Sequence, residues 1–172
     1  MKLIRLNLWI LNVWELLLTT HKYTSLAFLY LIVAQHIAPN LEPIYIYNID
    51  RLSKSGIVFS WATVGQDENS HVNERDELYI TCLMKKFGYF YDSEATTNIR
   101  GRVGTVNACC EGLSNSTYVF NRDEGWIGSS VDWKDEEKNT FSQATQTFHR
   151  SNFDDDDIKA YSQAYVAYVS SC

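Results

Sequence analysis

Apolar and polar side chains alternate with period two along most of the chain after residue 34. One run places Ile57, Phe59 and Trp61 on a single face, and another does the same for Leu78 and Ile80. Runs of this kind cover residues 44–49, 56–64, 78–84, 87–91, 99–110, 117–120 and 160–169. Polar breaks separate them about every ten residues, a spacing typical of antiparallel sheets. The pattern predicts an all-β fold, either an antiparallel β-sandwich or a β-barrel.

The amino-terminal segment differs from the rest of the chain. Residues 25–34 are an uninterrupted apolar run, and about 20 apolar residues are needed to cross a bilayer. The run is therefore too short to span a membrane and predicts the hydrophobic part of a secretory signal. We expect a signal peptide over residues 1–34, cleaved after Ala34, and one domain over residues 35–172. Two alternatives stay open: an uncleaved anchor, which would make a membrane-anchored ectodomain, and two amphipathic helices packed on the domain.

The cysteines favour the same extracellular location. They are Cys82, the neighbours Cys109 and Cys110, and the terminal Cys172. An even number in a secreted chain favours disulfide bonds. A bond between the two neighbours is disfavoured, because adjacent side chains of a strand point to opposite faces. We therefore expect Cys82 to pair with one neighbour and Cys172 with the other.

A glycosylation sequon supports secretion independently. It begins at Asn115 and lies in the Gly-, Ser- and Asn-rich segment 112–117. Such a composition predicts a surface loop, which is where an acceptor asparagine is normally found. The sequence therefore predicts an extracellular glycoprotein.

Charge narrows the range of partners. The chain has 172 residues and a formal net charge of −6. Its acidic side chains are concentrated after residue 122. The phosphates of nucleic acids and anionic lipids would be repelled by such a surface. We therefore exclude nucleic acid as the main partner, and expect contact with a membrane only through an uncleaved amino-terminal segment.

An aromatic and acidic cluster is the candidate binding patch. Trp126 follows Asp123 and Glu124 closely, and Trp133 lies a few residues further on. Aromatic rings stack on the C–H faces of sugars while carboxylates accept hydrogen bonds from sugar hydroxyls. The sequence therefore predicts a carbohydrate-binding patch. The alternative is that both indole rings close one end of the sandwich.

Four consecutive carboxylates form a second candidate site. They are Asp154, Asp155, Asp156 and Asp157. Calcium binds six to eight oxygen ligands, so such a run is a weak candidate for a Ca²⁺ loop. The spacing does not match an EF-hand, and a solvated acidic turn between strands is the simpler interpretation. No other cofactor is expected.

Histidines supply the candidate residues for catalysis. His71 with Glu74, and His149 as a second proton-transfer group, would suit a small metal-free hydrolase such as a ribonuclease. His71 lies in a long polar stretch, residues 65–76, that predicts a loop with a solvated imidazole. The sequence contains no G-x-S-x-G motif and no H-E-x-x-H motif. These patterns favour a non-enzymatic protein, with the hydrolase as the alternative.

Together these features predict a secreted, disulfide-bonded β-protein. Its expected function is non-enzymatic binding of a glycan or a cell-surface protein, as in lectin-like, effector or defence proteins. The alternatives are the small secreted hydrolase and the membrane-anchored ectodomain.

Overall fold

The computed structural model describes residues 27–30, 33–53, 55–66, 70–105, 111–122, 136–151 and 153–172. Over these residues the chain is mostly helical, so the prediction of an all-β sandwich or barrel is wrong. The helices are α1 Glu42–Leu52, α2 Glu77–Lys86, α3 Ser93–Thr105, α4 Glu111–Ser116, α5 Glu136–Arg150 and α6 Asp155–Val169. The strands are β1 Ala27–Tyr30, β2 Gly56–Ser60, β3 Tyr89–Tyr91 and β4 Thr117–Arg122. Two short 3₁₀ turns, Ala34–His36 and Pro39–Leu41, precede α1.

The error came from the period assigned to short apolar runs. In α2 the buried side chains are Ile80, Leu83 and Met84, which have helical spacing, whereas Leu78 is 81% exposed. In α6 the buried tyrosines 161, 165 and 168 repeat every three or four residues. Both stretches are rich in aromatic or apolar residues that also satisfy an alternating pattern. A run of six to ten residues cannot by itself distinguish the two periods.

The same ambiguity affected α1. Its isoleucines and tyrosines have high strand propensity, and residues 44–49 were expected to form a strand. In the structure Ile46, Tyr47 and Ile49 are buried on a helix that Pro43 helps to start. Burial of these side chains against the sheet and α6 outweighs the intrinsic strand preference.

The strands form one small mixed sheet in the order β1-β2-β4-β3. Strand β2 is parallel to β1 and antiparallel to β4, with Val58 opposite Val119. Strands β3 and β4 are antiparallel, with Phe90 opposite Asn121. Gly56 is required at the start of β2, because a Cβ there would lie 2.7 Å from the carbonyl oxygen of Phe120.

One face of the sheet supports the main core. By strand alternation Ile57, Phe59 and Trp61 share this face, and Tyr118 and Phe120 of β4 lie in the same buried cluster. Side chains from α1, α2, α5 and α6 complete it. Trp61 has no exposed surface and belongs to this core.

Helices α5 and α6 form a hairpin whose end is joined to α2 by a disulfide bond. The bond links Cys82 to Cys172, with Cα atoms 5.6 Å apart. The expected pairing of each with Cys109 or Cys110 is therefore wrong. That expectation treated residues 99–110 as a strand and could not foresee that the carboxyl end of α6 meets α2. Cys109 and Cys110 lie outside the described residues.

The predicted signal segment contributes part of the sheet. Its residues 27–30 form β1, and Ala34, the expected cleavage point, has no exposed surface. The boundary between residues 1–34 and 35–172 stays a prediction. In the part of the chain that the structure describes, no helix is both long and apolar enough to cross a bilayer.

Candidate ligand-binding site

An aromatic cleft lies between the α5–α6 hairpin and the ends of α1 and α2. Its volume is about 80 Å³, enough for a few waters or for one edge of a larger ligand. Five aromatic rings and five polar side chains line it. They are Tyr47, Phe87, Phe141, Tyr161 and Tyr168, with Asp50, Lys86, Ser142, Thr145 and Gln146.

Ring packing between α5 and α6 gives the cleft a rigid wall. Phe141 stacks on Tyr168 with ring centres 4.5 Å apart, and Phe148 stacks on Tyr161 at 4.6 Å. Phe141 and Phe148 are seven residues apart and so share one face of α5. This spacing positions aromatic side chains of two helices in register along the hairpin.

A polar groove runs along an exposed face of α5. Its volume is about 600 Å³, within the range of small-ligand sites. Polar side chains with helical spacing line it on one exposed face of the helix. They are Gln143, Gln146, Thr147 and Arg150. Ser151 and Asp157 at the turn into α6 complete the lining.

Gln146 lines both the aromatic cleft and the polar groove. The two cavities therefore meet at this side chain. Amide and hydroxyl groups lie on the groove side of Gln146, and on the cleft side the five aromatic residues are buried, with 1–6% of each exposed. We call the cleft and the groove together the α5 site.

Asp50 is the acidic group of the cleft. Arg122 donates a hydrogen bond to Asp50 Oδ1 at 2.6 Å, and the Tyr89 hydroxyl donates to the same oxygen at 3.2 Å. Burial raises the pKa of Asp50 above its ordinary value, while the Arg122 guanidinium opposes that rise. The pairing keeps a carboxylate beside apolar rings, where its remaining lone pairs can accept hydrogen bonds from a ligand.

A buried carboxylate joins the two walls of the cleft. Glu42 at the start of α1 accepts hydrogen bonds from Tyr165 at 2.9 Å, Asn73 at 3.0 Å and Arg75 at 2.8 Å, and also from Tyr79. Burial raises the pKa of Tyr79 and of Tyr165, so both phenols stay neutral donors. Because Tyr165 belongs to α6, this network fixes the hairpin against α1.

The predicted glycan patch falls on residues that the structure does not describe. Asp123, Glu124, Trp126 and Trp133 lie outside the described residues. Their role in binding stays a prediction.

The structure separates the two halves of the predicted catalytic set. His71 and Glu74 are together, with Nδ1 and Oε1 3.2 Å apart. His149 instead shares a hydrogen bond with the Tyr47 hydroxyl at 2.8 Å, beside the aromatic cleft. The expectation of a solvated imidazole at His71 is wrong, since only 4% of that side chain is exposed.

The acidic run begins a helix and does not form a turn between strands. The side chain of Asp154 caps α6 by accepting a hydrogen bond from the Asp157 backbone N–H at 2.9 Å. Asp155, Asp156 and Asp157 occupy the first turn, where carboxylates interact favourably with the helix dipole. The proposed Ca²⁺ role stays untested.

The sequon lies on a helix and not in the expected loop. Asn115 is exposed near the end of α4. Ser116 and Thr117, which complete the sequon, are buried and donate hydrogen bonds to carbonyls one turn earlier. Glycosylation at Asn115 stays a prediction.

Asp157 is the one residue of the α5 site that was a candidate from the sequence, as a calcium ligand, and the other residues of the site were not foreseen. Two stretches carried a usable signal: Phe141 and Phe148 are one heptad apart, and Tyr161, Tyr165 and Tyr168 follow helical spacing. Reading them as two amphipathic helices would have predicted a hairpin with an aromatic seam. The partner surface on α1 and α2 has no such signature.

Comparison with known proteins identifies no relative. No protein-family model, curated protein or solved structure is significantly similar to this chain. What the α5 site can bind is therefore judged from its own geometry and chemistry.

Proposed function

We propose that this chain is an extracellular, non-enzymatic binding protein that takes a glycan into the α5 site. The observation that carries the proposal is the junction at Gln146 between a polar groove and an aromatic cleft. A sugar presents hydroxyls around its rim and C–H groups on its faces. The exposed groove of the α5 site offers amide and hydroxyl groups that can hydrogen-bond to the rim, and the adjoining cleft is lined by aromatic side chains.

The polar side of the α5 site favours neutral, hydroxyl-rich ligands. Gln143 and Gln146 each carry an amide that can both donate and accept, and Thr147 and Ser151 add hydroxyls. Arg150 and Asp157 bring one charge of each sign. A surface with this composition suits a polyhydroxylated ligand better than a phosphate-rich one, which agrees with the net charge of −6.

The extracellular location rests on the disulfide between Cys82 and Cys172. Disulfide bonds persist in oxidising compartments and are rare in the cytosol. This location gives the protein access to glycans on cell surfaces or in the surrounding matrix.

The test is a glycan array probed with full-length protein and with groove variants. We expect at least one glycan to bind, and Gln146→Ala to weaken that binding about tenfold, because hydrogen bonds worth about 1.4 kcal/mol are lost. Gln143→Ala should act in the same direction. Gln163→Ala is the matched control, since Gln163 is an exposed glutamine on α6 outside the groove lining.

Two results would overturn the proposal. The first is an array on which no glycan binds. The second is a glycan whose binding survives Gln143→Ala and Gln146→Ala. If that binding were lost in Trp126→Ala or Trp133→Ala, the sequence-predicted patch would be the site.

A further inference from the structure

The aromatic cleft of the α5 site is too small to hold a sugar ring. Its volume of about 80 Å³ corresponds to two or three water molecules, at about 30 Å³ of liquid volume each. Its aromatic side chains, of which 1–6% is exposed, offer too little surface to stack on the flat face of a sugar. Of a glycan bound at the α5 site, only a small substituent can therefore enter the cleft.

Packed aromatic rings make the inner wall of the cleft apolar. The ring centre of Phe141 lies 5.5 Å from that of Phe87, 5.6 Å from that of Tyr161 and 4.5 Å from that of Tyr168. Tyr47 closes the cluster, 5.5 Å from Tyr161. A small apolar group gains free energy when it moves from water into such surroundings. The part of the substituent that enters deepest should therefore be apolar, such as a methyl group.

Two oppositely charged side chains, Asp50 and Lys86, also line the cleft, and both are half-buried. The hydrogen bonds from Arg122 and Tyr89 both go to Asp50 Oδ1, and the second carboxylate oxygen, Oδ2, can accept from a ligand N–H. Lys86 Nζ lies 4.7 Å from the centre of the Tyr168 ring. The cleft thus combines a group that only accepts, a group that only donates and an apolar wall.

We propose that the cleft binds the acetamido group of a 2-acetamido sugar, an inference that rests on the proposed function of the α5 site in glycan binding. The acetyl methyl packs against the aromatic rings. The amide N–H donates to Asp50, and the amide carbonyl accepts from Lys86. The sugar ring stays in the polar groove, next to Gln146, which lines both cavities.

Other sugar substituents match the cleft less well. A hydroxyl group has no apolar end, and the methyl group of a deoxy sugar has no polar atom for Asp50 or Lys86. An O-acetyl group lacks the N–H that Asp50 would accept from, and a free ammonium group has no methyl and has the same charge as Lys86. The acetamido group has a donor, an acceptor and a methyl in one small unit.

The test compares matched oligosaccharides that differ only at C2, where they carry an acetamido, an ammonium or a hydroxyl group. They are presented to the full-length protein in both the gluco and the galacto configuration. We expect an acetamido ligand to bind and its two counterparts to bind about tenfold more weakly, because methyl burial and hydrogen bonds are lost. In saturation-transfer NMR the acetyl methyl protons should receive the strongest saturation of the ligand.

Two pairs of variants locate the acetamido group. Lys86→Met removes the ammonium but keeps an unbranched side chain, and should weaken binding about tenfold. Lys85→Met is its control, because Lys85 is exposed and lies outside the cleft lining. Ser142→Leu fills the cleft and should also weaken binding about tenfold. Ser162→Leu is its control, at a half-buried serine of α6 that lines neither cavity.

The possible outcomes separate this inference from the proposed function. The inference alone is overturned if the glycans that bind have no acetamido group, or if the hydroxyl counterpart binds as tightly as the acetamido ligand. It is also overturned if binding of the acetamido ligand survives both Lys86→Met and Ser142→Leu. An array on which no glycan binds overturns the proposed function itself. Circular dichroism checks that each variant is folded.

Discussion

Two tyrosines of α6 show how much a single hydroxyl group depends on its surroundings. Tyr165 and Tyr161 are both buried and lie four residues apart on one helix face. The Tyr165 hydroxyl donates to Glu42. The Tyr161 hydroxyl has no hydrogen-bond partner within the described residues. The same chemical group should therefore stabilise the fold at one position and not at the other.

Replacing each tyrosine by phenylalanine tests this difference. Tyr165→Phe should lower the free energy of unfolding by about 1.5–3 kcal/mol, because a buried hydrogen bond to a charged acceptor is lost. Tyr161→Phe, the matched control, should be neutral or slightly stabilising, since it removes a buried hydroxyl without a partner. Urea unfolding followed by circular dichroism measures both. If both variants lowered the free energy of unfolding equally, Glu42 would not be the hydrogen-bond acceptor that makes Tyr165 stabilising.

At the scale of elements, the run of four aspartates shows that a cluster of acidic side chains can stabilise the start of a helix. Asp154 caps α6, and the next three aspartates lie in its first turn. The negative charge of four consecutive carboxylates can be stabilised by a bound cation, by water or by the amino terminus of a helix. The sequence alone does not distinguish these three. Here the free N–H groups of the helix stabilise the charge in part.

Substitution at Asp154 separates capping from calcium binding. Asp154→Ala should lower the free energy of unfolding by about 1 kcal/mol, whereas Asp154→Asn should change it little, since asparagine is an equally good cap. Each change in the free energy of unfolding should be the same whether the buffer contains calcium or a calcium chelator. A loss seen only with calcium present would contradict the capping role and support a metal loop.

At the scale of the whole molecule, the disulfide ties the end of the α5–α6 hairpin to α2. Cys82 and Cys172 are 90 residues apart in sequence. A cross-link over so long a segment restricts the unfolded chain strongly. It also holds α6 beside α2, where the Tyr168 hydroxyl donates to the Lys86 carbonyl at 2.6 Å. The wall of the aromatic cleft is thus covalently anchored.

Loss of the bond between Cys82 and Cys172 should destabilise the fold strongly. Cys172→Ser should lower the free energy of unfolding by about 2–5 kcal/mol, measured by urea unfolding, with reduced wild type as the matched control. Non-reducing peptide mapping should recover the peptides of Cys82 and Cys172 joined together. Recovery of either cysteine linked to Cys109 or Cys110 would show that the pairing inferred from the sequence is the correct one.

The sequence by itself predicted the strands whose apolar residues do not also fit a helical spacing. Strands β2 and β4 lie in runs that were expected to be extended. These segments are short, rich in strand-forming residues, and bounded by polar stretches. His71 and Glu74 were also grouped from their spacing and are in contact, while a catalytic role for them stays a prediction. The glycan patch around Trp126, however, remains a sequence prediction.

Only the tertiary structure decided the rest. Whether residues 44–49, 78–84 and 160–169 become strands or helices depends on which side chains find a buried surface, because their composition allows both periods. Tertiary contacts also set the partner of Cys82 and the junction at Gln146. Each of these joins residues far apart in sequence, and a single sequence contains no record of such proximity.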